Sequence, residues 1–154
     1  MDYLNVSRCF SILHRRSQQF IIEACADLVL YYSEYVMLIR LFANEGVSQD
    51  ELASMLCLDK AVVTRAVKNL EERGFLHRDK DSTDRRVKRL FLTEYGKSRK
   101  NYLEGILDVW VNELAAGMPS EEIASIMGTL DTLANRAYQI NTADLMAKYT
   151  AKNM

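Results

Sequence analysis

The sequence predicts a mainly α-helical chain carrying one small β-hairpin, and three observations lead there. Breakers are scarce, with one proline and six glycines in 154 residues, so helices can run long. Apolar residues recur at intervals of three, four or seven over most of the chain, which is the spacing of one helix face. Between Phe75 and Leu92 the pattern changes to short runs, and its second half alternates with a period of two. This length suits one domain with one core, so a single unit over residues 1–154 is expected.

The elements follow in order. From Leu4 to Leu28 the residues Val6, Cys9, Phe10, Leu13, Phe20, Ala24 and Leu28 form one amphipathic stripe. A second helix is expected to start after Ser33 and to run through Tyr35, Met37, Leu38 and Leu41 to near Asn44 and Gly46. Ser48 followed by Glu51 is a capping box, in which each side chain satisfies an orphan amide of the other's turn; it opens a short helix to about Leu56. After a break at Cys57 and Leu58, the Asp59 side chain is positioned to cap a helix from Lys60 to about Arg73, which Gly74 stops.

Phe75 to Lys80 and Val87 to Leu92 then read as the two strands of a hairpin, with a charged tip at residues 81–86. Thr93 is the expected N-cap of a long helix through Leu103, Ile106, Leu107, Trp110 and Leu114, ended by Gly117 and Pro119. A last helix starts near Ser120 with Glu121 and Glu122 in its first turn, where acids suit the helix dipole. Its stripe is Ile123, Ile126, Met127, Leu130, Leu133, Ala137 and Ile140.

Several function classes are disfavoured. The most apolar stretch, Phe20 to Phe42, is interrupted by Glu23, Asp27, Glu34 and Arg40, and the start lacks the continuous apolar run of an export signal, so a cytoplasmic protein without a membrane partner is expected. Cys9, Cys25 and Cys57 are an odd number without C-x-x-C spacing, which argues for reduced thiols rather than disulfides or zinc. The chain has no phosphate loop, dinucleotide fingerprint or nucleophile elbow, and His14 and His77 stand far apart. No enzyme activity, cofactor or metal is expected.

Charge is the informative feature. Residues 60–100 carry thirteen basic and six acidic side chains, a net +7, while the remainder carries −8. Such asymmetry suggests a polyanion partner for the middle. At 100° per residue the helix after Asp59 sets Val63, Ala66, Val67 and Leu70 on one side, with Lys60, Thr64, Arg65, Lys68 and Asn69 on the other. The short helix before it, with Ala53 small enough for close approach, completes a helix-turn-helix whose polar face can enter a DNA major groove. An arginine-rich hairpin tip can reach the neighbouring minor groove. Asp84 stands two residues before Arg86, so on an extended strand the two side chains point the same way and can pair. A helical adaptor whose basic face meets an acidic protein is the alternative reading of the same charges.

The sequence resembles the MarR (multiple antibiotic resistance regulator) family of winged helix-turn-helix regulators. The matching text is Gln49-Asp50-Glu51-Leu52-Ala53, Asp59 to Arg65, Leu70 to Leu76, Asp81 to Arg86, and Leu92-Thr93-Glu94-Tyr95-Gly96. Two positions depart from the pattern: Ser82 stands where many relatives have proline, and Cys57 where many have a glycine or another small residue. The resemblance implies a winged helix-turn-helix over about 33–100, flanked by dimerisation helices over about 1–30 and 101–154. It also implies that Lys60, Thr64, Arg65 and Lys68 face the major groove, that Arg85 and Arg86 form the wing tip, and that Asp84 braces Arg86. Ser48, Gln49, Ala61, Arg78 and Lys88 complete the candidate DNA contacts. A homodimer on a pseudo-palindromic operator follows from the same likeness, with repression as its mode, although the terminal apolar stripes could equally pack within one monomer.

Relatives often bind a small aromatic or anionic effector between the dimer helices and the winged region. Here His14, Arg15, Tyr31 and Tyr35 are the candidates for such a cleft, against the plainer reading of surface charge and core aromatics. Cys9 is the candidate redox thiol, since some relatives sense oxidants in the first helix. Cys25 and Cys57 read as small core residues.

Overall fold

The amphipathic stripe of the first segment produces α1 (Tyr3–Ala24), opened by Asp2, whose carboxylate accepts the Asn5 N–H at 3.0 Å. This helix, in a computed structural model that describes residues 2–153, ends before the predicted Leu28. A 3-10 turn over Ala26–Leu28 follows, and Val29 adopts the left-handed conformation at φ 51°. The turn lets the chain reverse so that Cys25 and Leu30 are both buried. The second helix, α2 (Tyr32–Ala43), starts earlier than expected because the Glu34 carboxylate accepts the Tyr31 N–H at 3.0 Å; Ser33 therefore lies inside it.

The capping box forms as predicted. Ser48 N–H donates to Glu51 Oε2 at 2.6 Å, Glu51 N–H donates to Ser48 Oγ at 3.2 Å, and α3 (Gln49–Leu56) begins there. Asp59 departs from expectation: it precedes α4 (Lys60–Glu72), but its backbone carbonyl, not its carboxylate, accepts the Val62 and Val63 amides. Gly74 at φ +73° ends α4 as predicted, since an L side chain is strained there.

The hairpin pairs β1 (Leu76–Lys80) with β2 (Lys88–Leu92) antiparallel, with Leu76 opposite Leu92 and Arg78 opposite Leu90. The free edge of β2 is also used, because Leu90 exchanges hydrogen bonds with Val47 and Gly46 ahead of α3. After it, Thr93 Oγ1 accepts the Gly96 N–H at 3.0 Å and opens α5 (Glu94–Ser98). The expected single long helix is split at Arg99, whose N–H reaches back to Gly96 O, and α6 (Lys100–Leu114) continues.

Residues 1–114 form one compact unit. Its core joins Leu38 and Leu41 of α2, Leu52 of α3, Val67 and Leu70 of α4, Leu76 and Leu90 of the hairpin and Leu103 of α6, all essentially without solvent exposure. Each such leucine contributes about 1.5–3 kcal/mol by leaving water. Trp110 stacks on Phe20 at 5.9 Å between ring centroids, so it is engaged within its own unit.

Residues 115–154 form a second unit. It contains α7 (Ser120–Gln139), where expected, and α8 (Thr142–Asn153), which lies beyond the last helix expected from the sequence. Asn141 makes the separation, its side-chain oxygen accepting the Ala143 N–H at 2.9 Å. Ile126, Met127, Leu130 and Leu133 of α7 and Leu145, Met146 and Tyr149 of α8 are exposed. Among the described residues no helix is long and apolar enough to cross a membrane.

Candidate nucleic-acid interface

The two sides of α4 divide as its sequence dictates. Val63, Ala66, Val67 and Leu70 are buried, and Lys60, Ala61, Thr64, Arg65 and Lys68 are exposed on one solvent-facing side. Thr64 Oγ1 donates to Lys60 O at 2.8 Å, which leaves its lone pairs free to accept. Lys60 pairs with Asp50 at 3.0 Å and Lys68 with Glu72 at 3.6 Å, all four side chains well exposed. Surface pairs of that kind contribute only about 0–1 kcal/mol, so a phosphate can replace the carboxylate.

A groove of about 310 Å³ lies between the start of α3 and the wing. It gathers five of the candidates, Ser48, Gln49, Arg78, Arg86 and Lys88, with Asp50 and Val87. Arg78 is the exception in what it offers. Both arms of its guanidinium engage Glu71 of α4, Nε at 3.1 Å and Nη2 closer still, so it locks β1 to α4 rather than presenting a free cation. This contact raises the arginine's pKa and lowers that of Glu71, in each case chiefly through the shared hydrogen bond.

Asp84 does hold Arg86, with Oδ1 accepting Arg86 Nε at 3.3 Å and Arg86 N–H at 3.0 Å. The predicted route was an extended strand; the observed one is a turn, closed by Val87 N–H on Asp84 O. Arg86 stays 93% exposed while so held, and Arg85 stands beside it at the tip with no ion-pair partner among the described residues.

The main anchor of the wing was not found from sequence. Arg89 donates from Nε to Asp81 Oδ2 at 2.6 Å and from Nη1 to Glu51 Oε2 at 2.7 Å and Gly46 O at 3.3 Å. Asp81 Oδ1 in turn accepts the Thr83 and Asp84 amides at 2.7 and 3.0 Å. The Asp84 amide first, then Arg89 and the Thr83 amide, hold the Asp81 carboxyl down to about 2. Glu51 is lowered too, mainly by the Ser48 amide of its own capping box. A period-of-two pattern in the strands was the available signal for Arg89, but its acidic partners are eight and thirty-eight residues away.

The effector candidates differ in what they offer a ligand. Tyr35 is buried at 1% exposure and donates its hydroxyl to Leu103 O at 3.0 Å, so it is a core residue and offers a ligand no surface. His14 meets Tyr32 edge-on at 5.7 Å, Arg15 bonds back to Ser11 O within α1, and Tyr31 is exposed. Cys9 is exposed and 4.0 Å from Asn5 Oδ1. Cys25 is buried as expected, which pushes its thiol up to about 11. Cys57 is not a core residue: it is exposed at the turn between α3 and α4, at φ 50°.

Comparison with known proteins agrees with this geometry. The family model described as MarR family matches residues 30–88. An uncharacterized HTH-type transcriptional regulator of Bacillus subtilis, YybA, is 34% identical over 104 residues, covering 68% of this chain and 69% of the relative. The crystal structure of a MarR transcriptional regulator from Methanosarcina mazei superposes with a TM-score of 0.84 at 26% identity, over 88% of this chain and 98% of that one. A MarR family regulator from Listeria monocytogenes, crystallised with a 26mer DNA, superposes with a TM-score of 0.82 over 90% of each chain; at 22% identity it speaks for the fold.

Proposed function

The chain belongs to the MarR family of helix-turn-helix transcription regulators, and from that premise we propose that it acts in the cytoplasm as a homodimeric repressor on a pseudo-palindromic operator. The observation that carries this reading is the divided surface of α4, core on one side and Lys60, Thr64, Arg65 and Lys68 on the other. In a major groove, Lys60, Arg65 and Lys68 would meet phosphates and guanine edges, Ala61 and Thr64 a thymine methyl, and Ser48 and Gln49 the backbone beside it. Arg85 and Arg86 would enter the adjacent minor groove, with Lys88 on its rim.

The exposed apolar residues of α1, and separately those of α7, would each be available to a second copy. Two-fold symmetry would then set the half-sites about one turn, roughly 34 Å, apart. A small aromatic or anionic effector that prefers a dimer with a different α4 spacing would release the operator by population shift.

Sedimentation of the protein, followed by titration of its own promoter duplex, a scrambled duplex and single strands at several salt concentrations, tests the proposal. A dimer that selects the promoter duplex, with affinity falling steeply as salt rises, supports it. Equal binding to duplex and single strands, or binding to neither, contradicts it and favours the protein-adaptor reading.

A further inference from the structure

Glu34 is a carboxylate at 1% exposure, and its oxygens take donors from two distant stretches of chain. Tyr31 N–H and Arg73 Nη1 reach Oε2 at 3.0 and 3.1 Å, and Asn69 Nδ2 reaches Oε1 at 3.0 Å. Arg73 directs its other terminal nitrogen to the carbonyl of Leu28, the last residue of the 3-10 turn between α1 and α2. The same guanidinium lies 5.4 Å over the Phe75 ring, which meets Tyr95 edge-on at 4.9 Å. Arg73 is also the C-cap residue of α4.

One planar fork therefore joins the α1–α2 linker, the start of α2, the end of α4 and Phe75, the residue that leads into β1. A guanidinium holds two acceptors at fixed angles, whereas an ammonium is a point charge on a loose stem. Val29, immediately after the anchored carbonyl, is held in a left-handed conformation unfavourable for a β-branched residue. The linker is thus fixed in one shape at the place where Arg73 grips it.

We propose that Arg73 is a positioning residue for DNA reading: with Glu34 it fixes the end of α4 to the α1–α2 linker, so that displacement of the linker moves the recognition helix. This rests on the reading of α4 as the helix that enters the groove. Arg73→Lys keeps a cation opposite the buried Glu34 but cannot also hold the Leu28 carbonyl, so it separates the link from the charge. Should that variant fail to fold, Glu34→Gln is read in the same assays.

Amide exchange of the free protein and titration of the promoter duplex form the test. For Arg73→Lys, exchange is expected to quicken together at Val29 to Tyr31 and at Arg73 to Phe75. Operator affinity is expected to fall about tenfold while the urea midpoint stays near that of the parent, a split that a merely structural role would not produce. Quickening on one side only overturns the coupling. Joint quickening with affinity within twofold of the parent overturns the positioning role alone, and failure of the parent to select its duplex overturns the DNA reading beneath it.

Discussion

Arg89 Nε lies 2.6 Å from Asp81 Oδ2, and the other face of the same guanidinium reaches Glu51, so one side chain ties the wing tip to the first turn of α3. The Asp81 carboxyl, ordinarily at 3.8, is held down to about 2 in the fold. A lowered folded value means that its contribution is fully present above about pH 4 and is lost as pH falls from there through about 2. The Thr83 and Asp84 amide signals should therefore hold their positions down to about pH 3 in a nuclear magnetic resonance titration. Asp81→Ala, which removes the accepting oxygen, should leave those amides unprotected even at neutral pH; protection equal to the parent's would remove Asp81 from its role.

Gly96 accounts physically for the glycine of the Leu92-Thr93-Glu94-Tyr95-Gly96 run. A Cβ there would fall well inside contact distance of the Phe75 backbone carbonyl, which cannot swing away as a side chain would. Gly96→Ala is expected to destabilise by about 1–3 kcal/mol, read as a lower urea midpoint at unchanged slope.

Cys57 and Val29 hold left-handed backbone at φ 50° and 51°. An L side chain costs about 1–2 kcal/mol there, and glycine relieves it at some cost in chain entropy. Cys57→Gly and Val29→Gly should each stabilise the fold by about 0.5–1 kcal/mol in the same denaturation experiment, and a loss for either would show that its side chain contributes more than its backbone costs.

Tyr35 joins α2 to α6 through its hydroxyl, buried against Leu103 O. Tyr35→Phe removes this bond while the carbonyl keeps its helical amide, and should cost about 0.5–1.5 kcal/mol of stability. Operator affinity of the folded protein should not change, which equilibrium denaturation and duplex titration together would check.

What was legible in the sequence was local. The Ser48 and Glu51 box, the Gly74 stop and the two faces of α4 each depend on residues within a turn or two of one another, and the hairpin shows as short runs on either side of a charged tip. What escaped depends on distant partners. Nothing near Arg78 signals that it folds onto Glu71, nothing near Arg89 signals Glu51, and Tyr35 reads as one more aromatic until Leu103 is placed beside it. Boundaries failed for the same reason. The end of α1 is decided by burying Leu30, and the start of α2 by Glu34, whose further partners Asn69 and Arg73 lie at the far end of α4.

On the solvent-facing side of α4 proposed to read DNA, Arg65 has no ion-pair partner among the described residues. The most direct measurement is fluorescence anisotropy of the parent, Arg65→Ala and Arg86→Ala on promoter and scrambled duplexes across a salt series. Arg86→Ala is expected to weaken both duplexes and lower the salt slope by about one, while Arg65→Ala costs about 1–3 kcal/mol on the promoter and narrows its preference over the scrambled sequence. Parent, Arg65→Ala and Arg86→Ala binding alike would contradict the DNA-reading role of α4.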